Sequence, residues 1–116
     1  MSRRPSARRA GLAGAAPVFA ALGDETRLRL VAQLCTEGPL PIARLSASSP
    51  VTRQAVTKHL HALAAAGLVR PRASSRGRGR VWELQPRAFD EARRYLDRIS
   101  KLWDDALVRL RAFVEE

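Results

Sequence analysis

The stretch Thr52 to Gly67, TRQAVTKHLHALAAAG, constrains this chain more than any other. Val56, Leu60, Leu63 and Ala64 recur at helical spacing and make one apolar stripe. Arg53, Gln54, Thr57, Lys58 and His61 lie off that stripe, and no acidic residue interrupts them. Each of them can hydrogen-bond or carry positive charge. Thr52 stands where an N-cap is wanted and Gly67 where a helix stops. A helix with one packed face and one acid-free polar face suits the major groove of DNA, whose base edges are read by donors and cations.

The surroundings of that helix are cationic. From Gly38 to Trp82 there is no Asp or Glu, while Arg44, Arg53, Lys58, Arg70, Arg72, Arg76, Arg78 and Arg80 all fall there. Those residues carry most of the formal net charge of +10. Arg3, Arg4, Arg8 and Arg9 add to it in the N-terminal tail. From Gln85 onward acidic and basic residues balance. Clustered cationic charge beside a neutral end implies a polyanion partner more strongly than a generally basic, solvated surface does.

At 116 residues, 46% of them apolar, the chain is long enough for one domain with a modest core. Cys35 is the only cysteine, which excludes an intramolecular disulfide and is compatible with a reducing compartment. It reads as a small buried hydrophobe. No run approaches a membrane span. Residues 1–23 loosely resemble a targeting peptide, but Pro17 breaks the apolar run, and Val18, Phe19 and Leu22 serve better in a packed first helix.

Taken in order, residues 1–16 are predicted to be a disordered basic tail, for they show no periodicity. Pro17 opens a short helix through Leu22, and Gly23 breaks it. Asp24 caps a second helix to about Glu37, with Leu28, Val31 and Leu34 on its inner face and Leu30 beside them. Pro41 opens a third helix, PIARLSAS, with Ile42 and Leu45 inward. Ser48 to Val51 turn the chain into the helix first described. A short helix, a turn and a polar-faced helix make a helix-turn-helix.

Beyond Gly67, residues 68–72 read as extended, Ser74 to Gly79 as a basic loop, and Arg80 to Gln85 as a half-buried strand with Trp82 and Leu84 on one side. Two strands with a glycine-rich tip form a hairpin, and directly after a recognition helix that hairpin is a wing. Its arginines 76, 78 and 80 are placed to meet phosphates or a minor groove. From Pro86 a last helix carries Phe89, Ala92, Leu96, Ile99, Trp103, Ala106, Leu110 and Phe113 in steps of three and four. Such a seam is about 40 Å long. A second copy covering it is the economical solution. A helix folded back over its own domain, or a different protein docked on the seam, remain open at this point.

The strings LGDETRLRLVAQL, PIARLSASSPVTRQAVTKHLHALAAAGLV and RGRGRVWEL resemble the bacterial arsenic-repressor (ArsR/SmtB) family of winged-helix regulators over about residues 17–85. The tail YLDRISKLWDDALVRLRAFVEE resembles a metal-independent branch with an extended dimerisation helix. The resemblance implies a dimeric repressor of an inverted-repeat operator in the bacterial cytoplasm, at the nucleoid. Metal-sensing members carry paired cysteines in the helix before the turn, or Asp and His between C-terminal helices. Here PIARLSA has neither Cys nor His, and the last helix has Asp97, Asp104 and Asp105 but no His. No metal or other cofactor is expected, and the effector, a small molecule or a redox signal, is left open.

The expected fold is therefore mainly α (α+β): a winged helix-turn-helix over 17–85 with a two-stranded β-wing, and a C-terminal dimerisation helix over 86–116. Expected DNA contacts are Thr52, which caps the helix at the groove, Arg53, Gln54 and Thr57 at the bases, and Arg44, Lys58, His61, Arg76, Arg78 and Arg80 at phosphates or the minor groove. Expected dimer contacts are Phe89, Leu96, Ile99, Trp103, Leu110 and Phe113. His59 reads as a packing or hydrogen-bonding residue at the rim of the core. No catalytic dyad, triad or phosphate loop is legible, so an enzyme is not expected. The alternative is an architectural nucleic-acid binder that ignores sequence.

Overall fold

A computed structural model describes residues 7–77 and 79–115, with side chains from Gly14 onward. The elements are α1 (Ala7–Leu22), α2 (Glu25–Glu37), α3 (Ile42–Ala47), α4 (Arg53–Ala65), β1 (Val69–Ala73), β2 (Arg80–Leu84) and α5 (Pro86–Glu115). This is a winged helix-turn-helix: α3, a turn and α4, then an antiparallel hairpin, then a long C-terminal helix.

The first helix differs from expectation. It begins at Ala7, and Pro17 lies inside it rather than at its start. Local sequence could not show this, because the helix is supported from afar by α5. Ala15, Val18 and Ala21 are buried, and Phe19 packs on Tyr95 with ring centroids 6.0 Å apart. Gly14 permits the close approach: a Cβ there would sit 3.0 Å from Glu91 Oε2. The residues before Ala7 and Arg78 lie outside the described residues, as do the side chains of Arg8 and Arg9.

Helix α2 is capped as expected, Asp24 Oδ1 accepting from Arg27 N at 3.1 Å. Its buried row is Leu30, Val31 and Leu34, and Leu28 is 51% exposed, which corrects its expected inward placement. Cys35 is likewise exposed, not buried. One step on from Leu34 turns 100° around a helix and carries Cys35 off the packed face.

Leu45 of α3, Val56, Leu60 and Leu63 of α4, and Leu68 and Val69 are all buried to within 1% of complete, and they form the centre of the core with α2. Helix α4 ends in a Schellman motif. Leu68 N–H bonds to Leu63 O at 3.0 Å and Gly67 N–H to Ala64 O at 2.9 Å. Gly67 takes φ +79°, and the two leucines that flank the motif are both buried.

The hairpin register is Val69↔Leu84, Arg70↔Glu83, Pro71↔Trp82, Arg72↔Val81 and Ala73↔Arg80. Leu40 adds a bridge on the far side of β2, opposite Trp82, that was not legible in advance. Both backbone groups of Trp82 are turned to Leu40. Pro71, which faces Trp82 from β1, is thus at a position where no N–H is required.

Helix α5 has 30 residues and is about 45 Å long. Only its first part packs on its own chain: Ala88 and Ala92 are buried, and Phe89 lies against the core. From Leu96 onward Ile99, Leu102, Trp103, Val108, Leu110, Phe113 and Val114 are exposed, Trp103 to 63% and Phe113 to 75%.

Candidate nucleic-acid interface

The outward face of α4 is built by what its inward face must bury. With Val56, Leu60 and Leu63 fixed in the core, Gln54, Lys58 and His61 fall on one exposed row. Arg53 and Thr57 lie alongside it, four residues apart. Thr52 Oγ1 accepts from Ala55 N at 3.1 Å, so its hydroxyl closes the first turn and satisfies an N–H that would otherwise face the partner unpaired. Thr57 Oγ1 donates to Arg53 O at 3.0 Å. Its proton is spent within the helix, which leaves its lone pairs and methyl group for recognition.

Ion pairs sort the cations into two sets. The acid-free stretch of sequence is not acid-free in space. Arg44 pairs with Glu37 at 3.1 Å, and Glu83 receives both Arg70 at 3.3 Å and Arg72 at 2.9 Å. The arginines of these three pairs are exposed, and exposed pairs of this kind are worth about 0–1 kcal/mol. Arg53, Lys58, Arg76 and Arg80 are exposed and have no ion-pair partner among the described residues. Of the expected phosphate contacts, Arg44 is thus engaged elsewhere in the free chain. Arg78 lies outside the described residues.

The wing and α4 are in direct contact. The His61 ring lies 5.9 Å from that of Trp82, tilted by 54°. His61 is therefore part of the joint between recognition helix and wing as well as an exposed polar group. Trp82 is held in turn by Leu40, just before α3, so one strand residue ties together the wing, α4 and the lead-in to α3.

His59 occupies the rim position expected of it. Arg27 Nε donates to His59 Nδ1 at 3.1 Å, a link across 32 residues that sequence periodicity could not reveal. The Asp24 carboxyl is held below the usual carboxylate range, chiefly by the Arg27 backbone N–H and against an opposing effect of burial.

A cleft of about 520 Å³ opens between the end of α4, the base of the wing and the start of α5, lined by Gly67, Arg70, Gln85, Arg87 and Glu91 among others. None of the α4 face residues lines it. Among the described residues no three His, Cys, Asp or Glu side chains gather as metal ligands. No described helix is long and apolar enough to cross a membrane.

Residues 22–72 match the model of a helix-turn-helix domain family. The chain is 40% identical over 87 residues to the HTH-type transcriptional regulator Rv2034 of Mycobacterium tuberculosis, covering 75% of this chain and 76% of that one. It is also similar to the solved structure of an ArsR-like transcriptional regulator from Rhodococcus sp. RHA1, with 34% identity, a TM-score of 0.72, and coverage of 88% and 93%. The chain belongs to the ArsR family of winged helix-turn-helix transcriptional regulators. A homodimeric winged helix-turn-helix domain from Mycobacterium bovis shares the fold at 21% identity and a TM-score of 0.60, over 92% of this chain and 94% of that one. Family and fold are those of transcriptional regulators, which are not enzymes.

Proposed function

We propose that this regulator acts as a homodimeric repressor that reads an inverted-repeat operator in double-stranded DNA without a metal-sensing site. The observation that carries the reading is the outward face of α4, where Arg53, Gln54, Thr57 and Lys58 are presented beside a wing whose Arg76 and Arg80 have no intramolecular ion pair among the described residues. Thr52 fixes the start of the helix at the groove. Arg53 suits guanine, Gln54 suits adenine, and Thr57 offers a methyl group and acceptor lone pairs. Lys58, Arg76 and Arg80 meet phosphates, and Arg44 joins them when phosphate replaces Glu37.

The exposed seam of α5 supports a second copy as its partner. Its apolar row is long, its charge is balanced, and both properties are self-complementary. Two copies place two α4 helices for half-sites about 34 Å apart. The stretch PIARLSA has no Cys or His and the last helix has no His, which supports a reading without the family's paired-cysteine or Asp–His metal sites.

Selection of bound fragments from genomic DNA with the purified chain tests this. The expected product is a palindromic site. On that site Gln54→Ala relaxes sequence discrimination, with about 1–3 kcal/mol lost at one base pair of each half-site. Arg80→Ala weakens binding to all sequences and lowers the salt slope by about 0.9 per copy, about 1.8 for the dimer. Recovery of random fragments that salt releases equally would replace the operator reading with that of an architectural binder. Intact discrimination in Gln54→Ala would move the groove-facing side elsewhere on α4.

A further inference from the structure

Arg27 joins three helices. Its Nε donates to His59 Nδ1 on α4 at 3.1 Å, and its Nη1 donates to Ala21 O at the end of α1 at 3.4 Å. Its backbone N–H is held by Asp24 Oδ1, the N-cap of α2. The same carboxylate oxygen lies 3.9 Å from His59 Nδ1. That one ring nitrogen therefore has a guanidinium donor on one side and a carboxylate acceptor close by.

The two partners require different protonation states. To accept from Arg27, the imidazole must be neutral, with its proton on Nε2. A protonated ring carries hydrogen on Nδ1 and cannot accept there. Its nearest acceptor is Asp24, which is already bound to the first turn of α2.

We propose that Arg27 and Asp24 are positioning residues for the recognition helix, which they hold through His59, and that His59 Nδ1 changes partner from Arg27 to Asp24 when the ring takes a proton from solvent. The functional half of this rests on the reading of α4 as the DNA-contacting helix. His59 lies on the same turn as Thr57, Lys58 and His61, so a change in its seat moves the side chains that face the groove.

Among the described residues, no charged group other than Arg27 and Asp24 is paired with the ring; on α2, Arg29 is turned to Glu25. From α1, the described side chains Gly14 to Leu22 are uncharged, and the Ala21 carbonyl serves Arg27. From α3, Arg44 is turned to Glu37, and from β1, Arg70 and Arg72 are turned to Glu83. On α4 itself the residues one turn away are Ala55, Val56, Ala62 and Leu63, and Lys58, the neighbour in sequence, is exposed. Asp24 is ionised wherever a histidine exchanges its proton, since it is held below the usual carboxylate range.

The sign of the effect is diagnostic. A proton added to a DNA-binding surface ordinarily strengthens binding through charge. Here it exchanges the Arg27 tie, which also reaches Ala21 of α1, for one to the N-cap carboxylate of α2, and so sets an imidazolium beside Arg27 and divides Asp24 between two helices. Acid therefore weakens DNA binding.

The test uses the full chain and one duplex selected from genomic DNA, at about pH 8.0 and about pH 5.5, which span the range in which histidines change charge. The wild type is expected to bind about tenfold or more weakly at the lower pH, the scale of one hydrogen bond to a charged group. His61→Asn, whatever its affinity at the higher pH, should retain the acid loss of the wild type. His59→Asn puts a non-titrating amide oxygen in place of Nδ1, so it should bind like the wild type at the higher pH and keep that affinity at the lower. In the free protein, the Arg27 Nε–H resonance should be protected from exchange and hydrogen-bond-shifted at the higher pH, and should move to the shift of a free guanidinium at the lower, where acid itself keeps exchange slow. In His59→Asn the hydrogen-bonded shift should persist. An acid loss of affinity retained in His59→Asn, or an Arg27 resonance indifferent to pH, would overturn the proposal. A chain that bound no duplex at either pH would sink the DNA reading, and the Arg27 resonance would still decide the change of partner.

Discussion

Leu40 and Trp82 exchange both of their backbone hydrogen bonds, Leu40 N–H to Trp82 O at 3.0 Å and Trp82 N–H to Leu40 O at 2.7 Å. Leu40 stands between Pro39 and Pro41, and a residue before proline is driven to extended backbone. The Pro-Leu-Pro sequence thus prepares a single residue of strand at the edge of the wing. Replacing Pro41 with Ala is expected to cost about 0.5–1 kcal/mol, through the freedom it restores to the unfolded chain. Urea unfolding would show a lower midpoint at unchanged slope, and amide exchange at Trp82 would quicken first.

Gly67 ends α4 at φ +79°, a conformation an L side chain adopts at a cost. Space is not the obstacle, since an added Cβ would meet only the Ala88 side chain at 3.9 Å. Gly67→Ala should therefore destabilise by about 1–2 kcal/mol from backbone strain alone. Denaturant titration would detect this. A neutral result would mean that the Schellman turn relaxes without cost.

Asp24 gives the chain an acid-sensitive cap. Its carboxyl is lowered in the folded state, first by the Arg27 N–H. A group lowered on folding contributes stability that is present above its unfolded value and lost as pH falls through the folded one. The expected loss thus begins near about pH 4, the ordinary carboxylate range, and continues below it. Melting temperatures measured from pH 6 down to pH 3 should fall less steeply for Asp24→Asn than for the wild type.

Trp103 and Leu110 lie on the exposed seam of α5, 63% and 57% accessible in the single chain. Trp103→Glu places a charge where the second copy is proposed to pack. Removal of a central aromatic anchor of this kind costs about 2 kcal/mol or more of association. Sedimentation across a range of concentrations should show the dimer weakening while the circular dichroism of the winged domain stays intact. Because folding and association are linked, the wild type should also melt at a temperature that rises with concentration.

The elements with strong periodicity were legible in the sequence: α4 from its stripe, β2 from its alternation, α5 from its seam, and both side-chain caps from Asp24 and Thr52. What was not legible depends on partners distant in the chain. Helix α1 extends to Ala7 because small residues pack on α5, which no local pattern encodes. Leu28 and Cys35 are apolar by type but sit a step off the buried row of α2. At the interface, the residue types on α4 pointed outward as expected. The commitment of Arg44 to Glu37, of Arg70 and Arg72 to Glu83, and of Arg27 to His59 required the fold. The Pro-Leu-Pro sequence was the one signal that could have announced the Leu40 bridge.

The outer edge of β1 has its own consequence. The residues whose backbone faces outward there are Val69, Pro71 and Ala73, since the N–H and C=O groups of their neighbours are spent on β2. Val69 is buried, and Pro71, at the middle of that edge, has no N–H to give. A foreign strand approaching along this line meets a missing donor between two arginine side chains. When copies of the chain crowd together, their hairpins are consequently poor templates for one another, and the wings resist fusing into a shared, aggregating sheet.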